Sequence, residues 1–217
     1  ERPRAALLRT ASQQFFSGKV PDGILLRPDT ELKYINQIPH TDHAVWLVIA
    51  AKAYIEETGD RAVLAENVAW ADSEEDATLY EHVTRALRFL AGEVDERNLP
   101  YIAQGDWCDP MNMVGYKGRG VSGWLAEAAS YAMTTWADMC RAENDSEAAG
   151  WLEREAGKLN DSINHYLWDG KWYARGITDD GVAFGVQTDS EGRIYLNAQS
   201  WAFLAGAADE DKRASML

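Results

Sequence analysis

The chain has 217 residues, of which 46% are hydrophobic and 26% charged, enough to bury a sizeable core in one or two domains. A formal net charge of −14 without any Lys/Arg cluster repels phosphate backbones and excludes a nucleic-acid partner. The longest apolar run, Ala44 to Ala51, is too short to span a bilayer, no signal-peptide pattern opens the chain, and Cys108 and Cys140 make no disulfide framework, so a cytoplasmic setting without membrane contact is expected.

Taken in order, Pro3 to Phe16 carries a helical period with Ala5, Leu8, Ser12 and Phe15 on one face. Ser17-Gly18 stops it, and Lys19 to Pro39 is a long irregular loop punctuated by Pro21, Gly23, Pro28 and Pro39, of the kind that often serves function. Thr41 or Asp42 caps a helix over His43 to Thr58, which ends at Gly59. Its first turns are apolar nearly all round, which predicts burial on more than one side. Arg61 to Glu75 is mixed and acidic. Thr78 caps a second long helix reaching Ala91, with Leu79, Val83, Ala86, Leu87 and Leu90 on its buried face. A third helix spans Ser122 to Ala142 and a fourth runs from Ser146 to about His165. In Leu167 to Val186, aromatic runs flank Asp169-Gly170 and Asp179-Asp180-Gly181, predicting short strands joined by tight turns. Helix returns over Gln199 to Ala208, and the last residues read as a loop and the first turn of another helix.

The plan is all-α: helix after helix with one β-hairpin insertion. The loops before Asp42, Ser122 and Gln199 have a functional look, and their recurrence at helix N-termini favours a toroid of helical hairpins over a solenoid or bundle. The chain opens on Glu1 within a helical pattern and closes on an unfinished helix. We therefore read residues 1–217 as one partial domain with both flanks missing.

The chemistry concentrates in Ala103 to Trp124, AQGDWCDPMNMVGYKGRGVSGW. Asp106 and Asp109 flank Trp107 and Cys108 there, a mixture expected where a loop dips into a pocket. Two readings stand on chemistry alone. Paired carboxylates suit general acid work on a glycosidic or ester bond, with Trp107 stacked on a sugar ring. Equally, Asp109-Pro110 is an N-cap followed by Pro at the first helical position, and Asp106 bonds loop amides. Cys108 has no histidine near it in sequence and reads as a small buried thiol. Gly115 to Gly120 resembles a phosphate loop but lacks the P-loop spacing. Most of the nine tryptophans read as core, including Trp46, Trp124 and Trp136. His40, Thr41, Asp42 and His43 open a buried helix and read as capping. No metal site is expected, because His40 and His43 have no acid near them in sequence beyond Asp42.

Five segments, in order, resemble glycoside hydrolase family 94, the inverting disaccharide phosphorylases. GDWCDPMNMVG (105–115) resembles the GDWND-type signature, and HTDHAVWLVIAAKAYIEETGD (40–60) a helix ending in ETGD. LYEHVTRAL (79–87), WDGKWYARGITDDG (168–181) and NAQSWAFLAG (197–206) resemble further family segments. The Cys-Asp-Pro variant of the signature, with KYINQIPHTDH upstream, is similar to the cellobionic acid phosphorylase subgroup.

The resemblance implies a fragment of an (α/α)6 barrel. It implies that Asp109 is the general acid and that Trp107 lines the donor sugar subsite, with Asp106, Asp42, Arg175 and Gln199 as further substrate-binding residues. No cofactor is implied beyond inorganic phosphate as co-substrate, and the full-length protein is expected to be a homodimer. Phosphate is already an anionic nucleophile, so one acid suffices and Asp106 is not a general base. With donor-holding and phosphate-binding groups expected outside residues 1–217, this chain alone is expected to show no turnover.

Overall fold

The computed structural model describes residues 2–25, 40–108 and 111–217, and the chain divides into two compact units, Glu1–Gly92 and Glu93–Leu217. Among the described residues the secondary structure is mainly helical, with two small antiparallel sheets. No helix among them is long and apolar enough to cross a membrane.

In the first unit, α1 (Arg2–Ala11), α2 (His43–Thr58) and α3 (Leu79–Gly92) pack against one another. The apolar run of α2 buries Ala44, Val45, Leu47, Val48, Ala51 and Ile55, a stripe wide enough to serve two neighbours. Gly59 ends it in the left-handed conformation, φ 70°, and its N–H bonds the Ile55 carbonyl. Asp42 stands at the N-cap of α2 but makes no side-chain cap bond; its Oδ2 instead accepts from the Trp46 indole at 2.5 Å. Helix α3 starts as expected, with Thr78 Oγ1 accepting from Glu81 N–H at 3.2 Å.

One expectation, a helical period running to Phe16, is corrected here. Helix α1 ends at Ala11, and its buried residues are Leu7 and Ala11. Ala5, Leu8 and Ser12 share one face and line a groove together with Leu25 and Val68, while Phe15 lies beyond the helix and is exposed. The acidic stretch after Gly59 forms a 3-10 turn over Arg61–Ala65, then strands β1 (Asn67–Ala69) and β2 (Asp76–Thr78) paired antiparallel. Buried His82 secures this region, with Nδ1 2.9 Å from Gln14 Oε1 and Nε2 3.0 Å from the Val68 carbonyl.

In the second unit, α4 (Gly123–Ala142) and α5 (Ser146–Tyr166) form a helical hairpin with the most extensive helix–helix contact. Ala126, Ala129, Ala132 and Ala137 on α4 are buried, Ser130 bonds α5 at the Asn160 side chain, and Trp124, Leu125, Met133 and Trp136 fill the core. Each of those large side chains contributes about 1.5–3 kcal/mol by leaving water. Ser122 caps α4 by accepting from Leu125 N–H at 2.9 Å, and Asp145 caps α5 through Ala148 N–H. Helix α6 (Leu196–Leu204) packs on α4, and α7 (Glu210–Met216) follows, capped by Asp209. The expected hairpin is present as β4 (Gly176–Ile177) and β5 (Ala183–Phe184). It has gained a third strand, β3 (Val121–Ser122), in the order β3-β4-β5.

Candidate active site

Strand β3 leads directly into α4, so the sheet and the helix N-terminus share residues 121–123. A Cβ on Gly123 would lie 2.6 Å from the Ala174 carbonyl oxygen, so only glycine allows the helix to start this close to the strand carrying Arg175. The Gly123 N–H donates to the Arg175 carbonyl at 2.9 Å, and the Arg175 N–H to Phe184. Arg175 is thereby held on both sides by backbone before its side chain is considered.

That side chain is fully buried and reaches the loop that Asp106 belongs to. Arg175 Nη2 donates to Asp106 Oδ1 at 2.5 Å, and Nη1 donates to Ser122 Oγ at 3.1 Å. Ser122 Oγ in turn donates to Asp106 Oδ2 at 2.5 Å. Asp106 Oδ1 also accepts the Cys108 N–H at 2.9 Å. The result is a closed buried triangle of carboxylate, guanidinium and hydroxyl. It fixes residues 106–108 against the first turn of α4, since charge-assisted bonds of this kind are short and directional.

Trp107, between those fixed points, projects its ring outward. It is 54% exposed, yet it packs on Trp124 at 5.5 Å and meets Trp201 edge-on at 6.3 Å. Trp124 and Trp201 meet at 5.5 Å, and Tyr131 continues the cluster at 5.7 Å from Trp201. A rigid aromatic base with one half-open ring suits stacking against an apolar sugar face. Asp109 and Pro110, the expected general acid and its neighbour, lie outside the described residues.

The loop that follows explains why GYKGRG is no phosphate cradle. Asp179 already supplies the anion: its carboxylate accepts the N–H groups of Lys117 (2.7 Å), Arg119 (2.8 Å) and Gly120 (2.9 Å). Burial works to raise the Asp179 carboxyl, but those backbone donors prevail and hold it below its ordinary value. Gln199 is also spoken for. Its Oε1 accepts Tyr173 N–H at 2.9 Å, and its Nε2 donates to the carbonyls of Tyr173 (2.8 Å) and Tyr195 (3.2 Å). Asp42 lies in the first unit, 4% exposed, with its Oδ2 held by Trp46.

Sequence reasoning overlooked Glu127. It sits on α4, fully buried, and neither carboxyl oxygen has a hydrogen-bond partner among the described residues. Burial pushes its carboxyl well above the ordinary range, with the nearby Arg175 charge offsetting part of the effect. The available signal was a lone acid within the apolar run GWLAEAASYAM.

A model of the glycosyl hydrolase 94 superfamily catalytic domain matches residues 14–217. Cellobionic acid phosphorylase of Neurospora crassa is 51% identical over 217 residues, covering all of this chain and 27% of that protein. The 3-O-beta-D-glucopyranosyl-beta-D-glucuronide phosphorylase of Paenibacillus borealis is 38% identical over 175 residues, 81% of this chain and 23% of that one. The chain thus spans about a quarter of the length of these curated relatives. A crystal structure of a GH78 family rhamnosidase from Bacillus sp. GL1 shares the fold, with TM-score 0.63 and 19% identity over 82% of this chain and 17% of that one. With 14–217 matched, the chain belongs to the glycosyl hydrolase 94 superfamily and is part of its catalytic domain.

Proposed function

We propose that this chain is part of an inverting glycoside phosphorylase that splits a β-linked glucosyl disaccharide, with cellobionic acid as the preferred substrate. The 51% identity to cellobionic acid phosphorylase over the whole chain supports that choice of substrate. The observation that carries the mechanism is the buried Asp106–Arg175–Ser122 triangle, which anchors residues 106–108, directly before Asp109 in the sequence. On this reading the helices contribute part of an (α/α)6 barrel, residues 1–217 are one portion of its catalytic domain, and the complete polypeptide is a cytoplasmic homodimer.

The reaction is a displacement at the anomeric carbon. Asp109 gives its proton to the glycosidic oxygen as the bond from that oxygen to the anomeric carbon breaks. A phosphate oxygen forms the new bond from the opposite face, inverting the centre to α-glucose 1-phosphate and releasing the acceptor sugar acid. Trp107 stacks on the donor ring. Asp106, Arg175 and Gln199 are positioning residues, since the Asp106 carboxylate, the Arg175 Nη1 and Nη2 and the Gln199 side-chain amide all bond protein partners.

The test gives the complete polypeptide cellobionic acid, cellobiose and chitobiose, with and without phosphate, and follows α-sugar 1-phosphate. Product from cellobionic acid in phosphate, abolished by Asp109→Asn and reduced by Trp107→Ala through a KM increase of about tenfold, is expected. Free glucose formed without phosphate would mean a hydrolase and sink the proposal.

A further inference from the structure

The first unit holds a convergence of chemical groups of its own. His40 and His43 stand one turn apart where the chain enters α2, so their rings lie on neighbouring faces, with centroids 6.4 Å apart and planes at 87°. Asp42, between them, accepts from the Trp46 indole through its Oδ2. The acid that both rings meet comes from far back in the chain. Asp22 Oδ1 lies 3.0 Å from His40 Nδ1 and 2.5 Å from His43 Nε2. Donor atoms of all three residues lie within 4.8 Å of one another.

We propose that Asp22, His40 and His43 form a transition-metal site selective for zinc-like divalent cations. The donor set is the first reason. Two imidazoles and one carboxylate suit Zn²⁺, whereas Mg²⁺ and Ca²⁺ require an all-oxygen shell of six or more ligands. The spacing is the second. Ligands at about 2.0–2.1 Å around a tetrahedral ion lie about 3.3 Å from each other. The two nitrogen-to-oxygen separations need to open by less than about 1 Å to admit the ion, a change within rotamer adjustment. The third is exposure. The three side chains are 19–23% exposed, so they are held by their surroundings while one side remains reachable by solvent. Three protein ligands with one reachable position describe an open site, one that takes water or an anionic oxygen as its fourth ligand.

In the metal-free arrangement both ring nitrogens donate to the same carboxylate oxygen. On binding, those nitrogens present lone pairs to the cation, and each ring carries its N–H on its other nitrogen. The Asp22 charge then neutralises part of the cation. Ni²⁺ and Cu²⁺ compete for such a set by intrinsic affinity, so selectivity is stated for the class and probed with zinc.

The inference does not depend on the phosphorylase reading, and its test does not use activity. The complete polypeptide is stripped with chelator and titrated with ZnCl2 by calorimetry, then with Co²⁺ while the visible spectrum is recorded. Expected is 1:1 binding with a Kd of about micromolar or below, and an intense tetrahedral-type Co²⁺ spectrum free of thiolate charge transfer. His40→Ala, His43→Ala and Asp22→Asn each weaken binding at least about tenfold with unchanged circular dichroism, whereas Cys108→Ser binds as wild type. Two results overturn the proposal: no saturable binding up to about 1 mM zinc, or a His40→Ala/His43→Ala double variant that binds as tightly as wild type.

Discussion

Two buried carboxyls, Asp106 and Glu127, share one buried guanidinium, Arg175, and the geometry says which of them is ionised. Asp106 has the 2.5 Å ion pair with Arg175, the Ser122 hydroxyl and the Cys108 N–H. Glu127 has no hydrogen bond among the described residues and is fully buried. An ionised Glu127 would leave a net negative charge in a dry site, so the folded protein keeps it protonated. Its folded pKa is therefore raised above the ordinary value of 4.5. The sign of the linkage follows. Below about pH 4.5 Glu127 is neutral whether folded or not, and its contribution to stability is fully present. Above that, the unfolded chain releases the proton and the folded chain does not, so stability falls as pH rises, until the folded carboxyl also ionises. The limiting slope is about 1.4 kcal/mol per pH unit for one proton. Glu127→Gln has nearly the same shape and no proton to lose, so it removes this slope. The variant should match wild type near pH 4.5 and become more stable as pH rises. At about 2–4 °C per kcal/mol for a chain of this size, each pH unit adds roughly 3–6 °C to the difference in Tm. Paired thermal and urea denaturation at several pH values between 4.5 and 8 measures it. A Gln variant that is less stable at every pH, by 2 kcal/mol or more on the order of a broken buried pair, would show that Glu127 is ionised and is a second counter-ion of Arg175.

Other changes test the remaining parts of the site. Asp106→Asn leaves Arg175 buried without its counter-ion and should cost about 3–5 kcal/mol in chemical denaturation. On the proposed mechanism it still leaves measurable phosphorolysis under conditions where the variant is folded. Gly123→Ala drives a Cβ to 2.6 Å from the Ala174 carbonyl and should cost about 1–3 kcal/mol, whereas an unchanged Tm would mean the strand yields freely. Asp179 has the opposite linkage to Glu127. Its folded carboxyl is depressed below 3.8, so its stabilising contribution is present above that value and is lost as pH falls through the folded pKa. Asp179→Asn should flatten the acid limb of the stability profile and speed amide exchange at Lys117, Arg119 and Gly120; unaltered exchange would refute the cradle.

What could be read from the chain was what depends on local pattern. The Gly59 stop, the Thr78 cap and the strands around Asp179-Asp180-Gly181 all follow from residues within a few positions of one another. What escaped depends on partners far away. Which residues of α1 are buried is decided by what packs against it, so Leu7 and Ala11 are buried while Ala5 and Leu8 line a groove. The role of Arg175 is set by Asp106, 69 residues earlier, and Asp22 reaches His40 and His43 from 18 and 21 positions away. The same distance effect separates the two acids of the signature. Spacing alone left Asp106 and Asp109 as equivalent candidates. With Asp106 ion-paired, bonded three ways and 1% exposed, it has about three of its four lone-pair sites taken by protein donors and lacks the access to water that a general base requires. On the proposed mechanism Asp106 is therefore a positioning residue, and the nucleophile is a phosphate that arrives already charged.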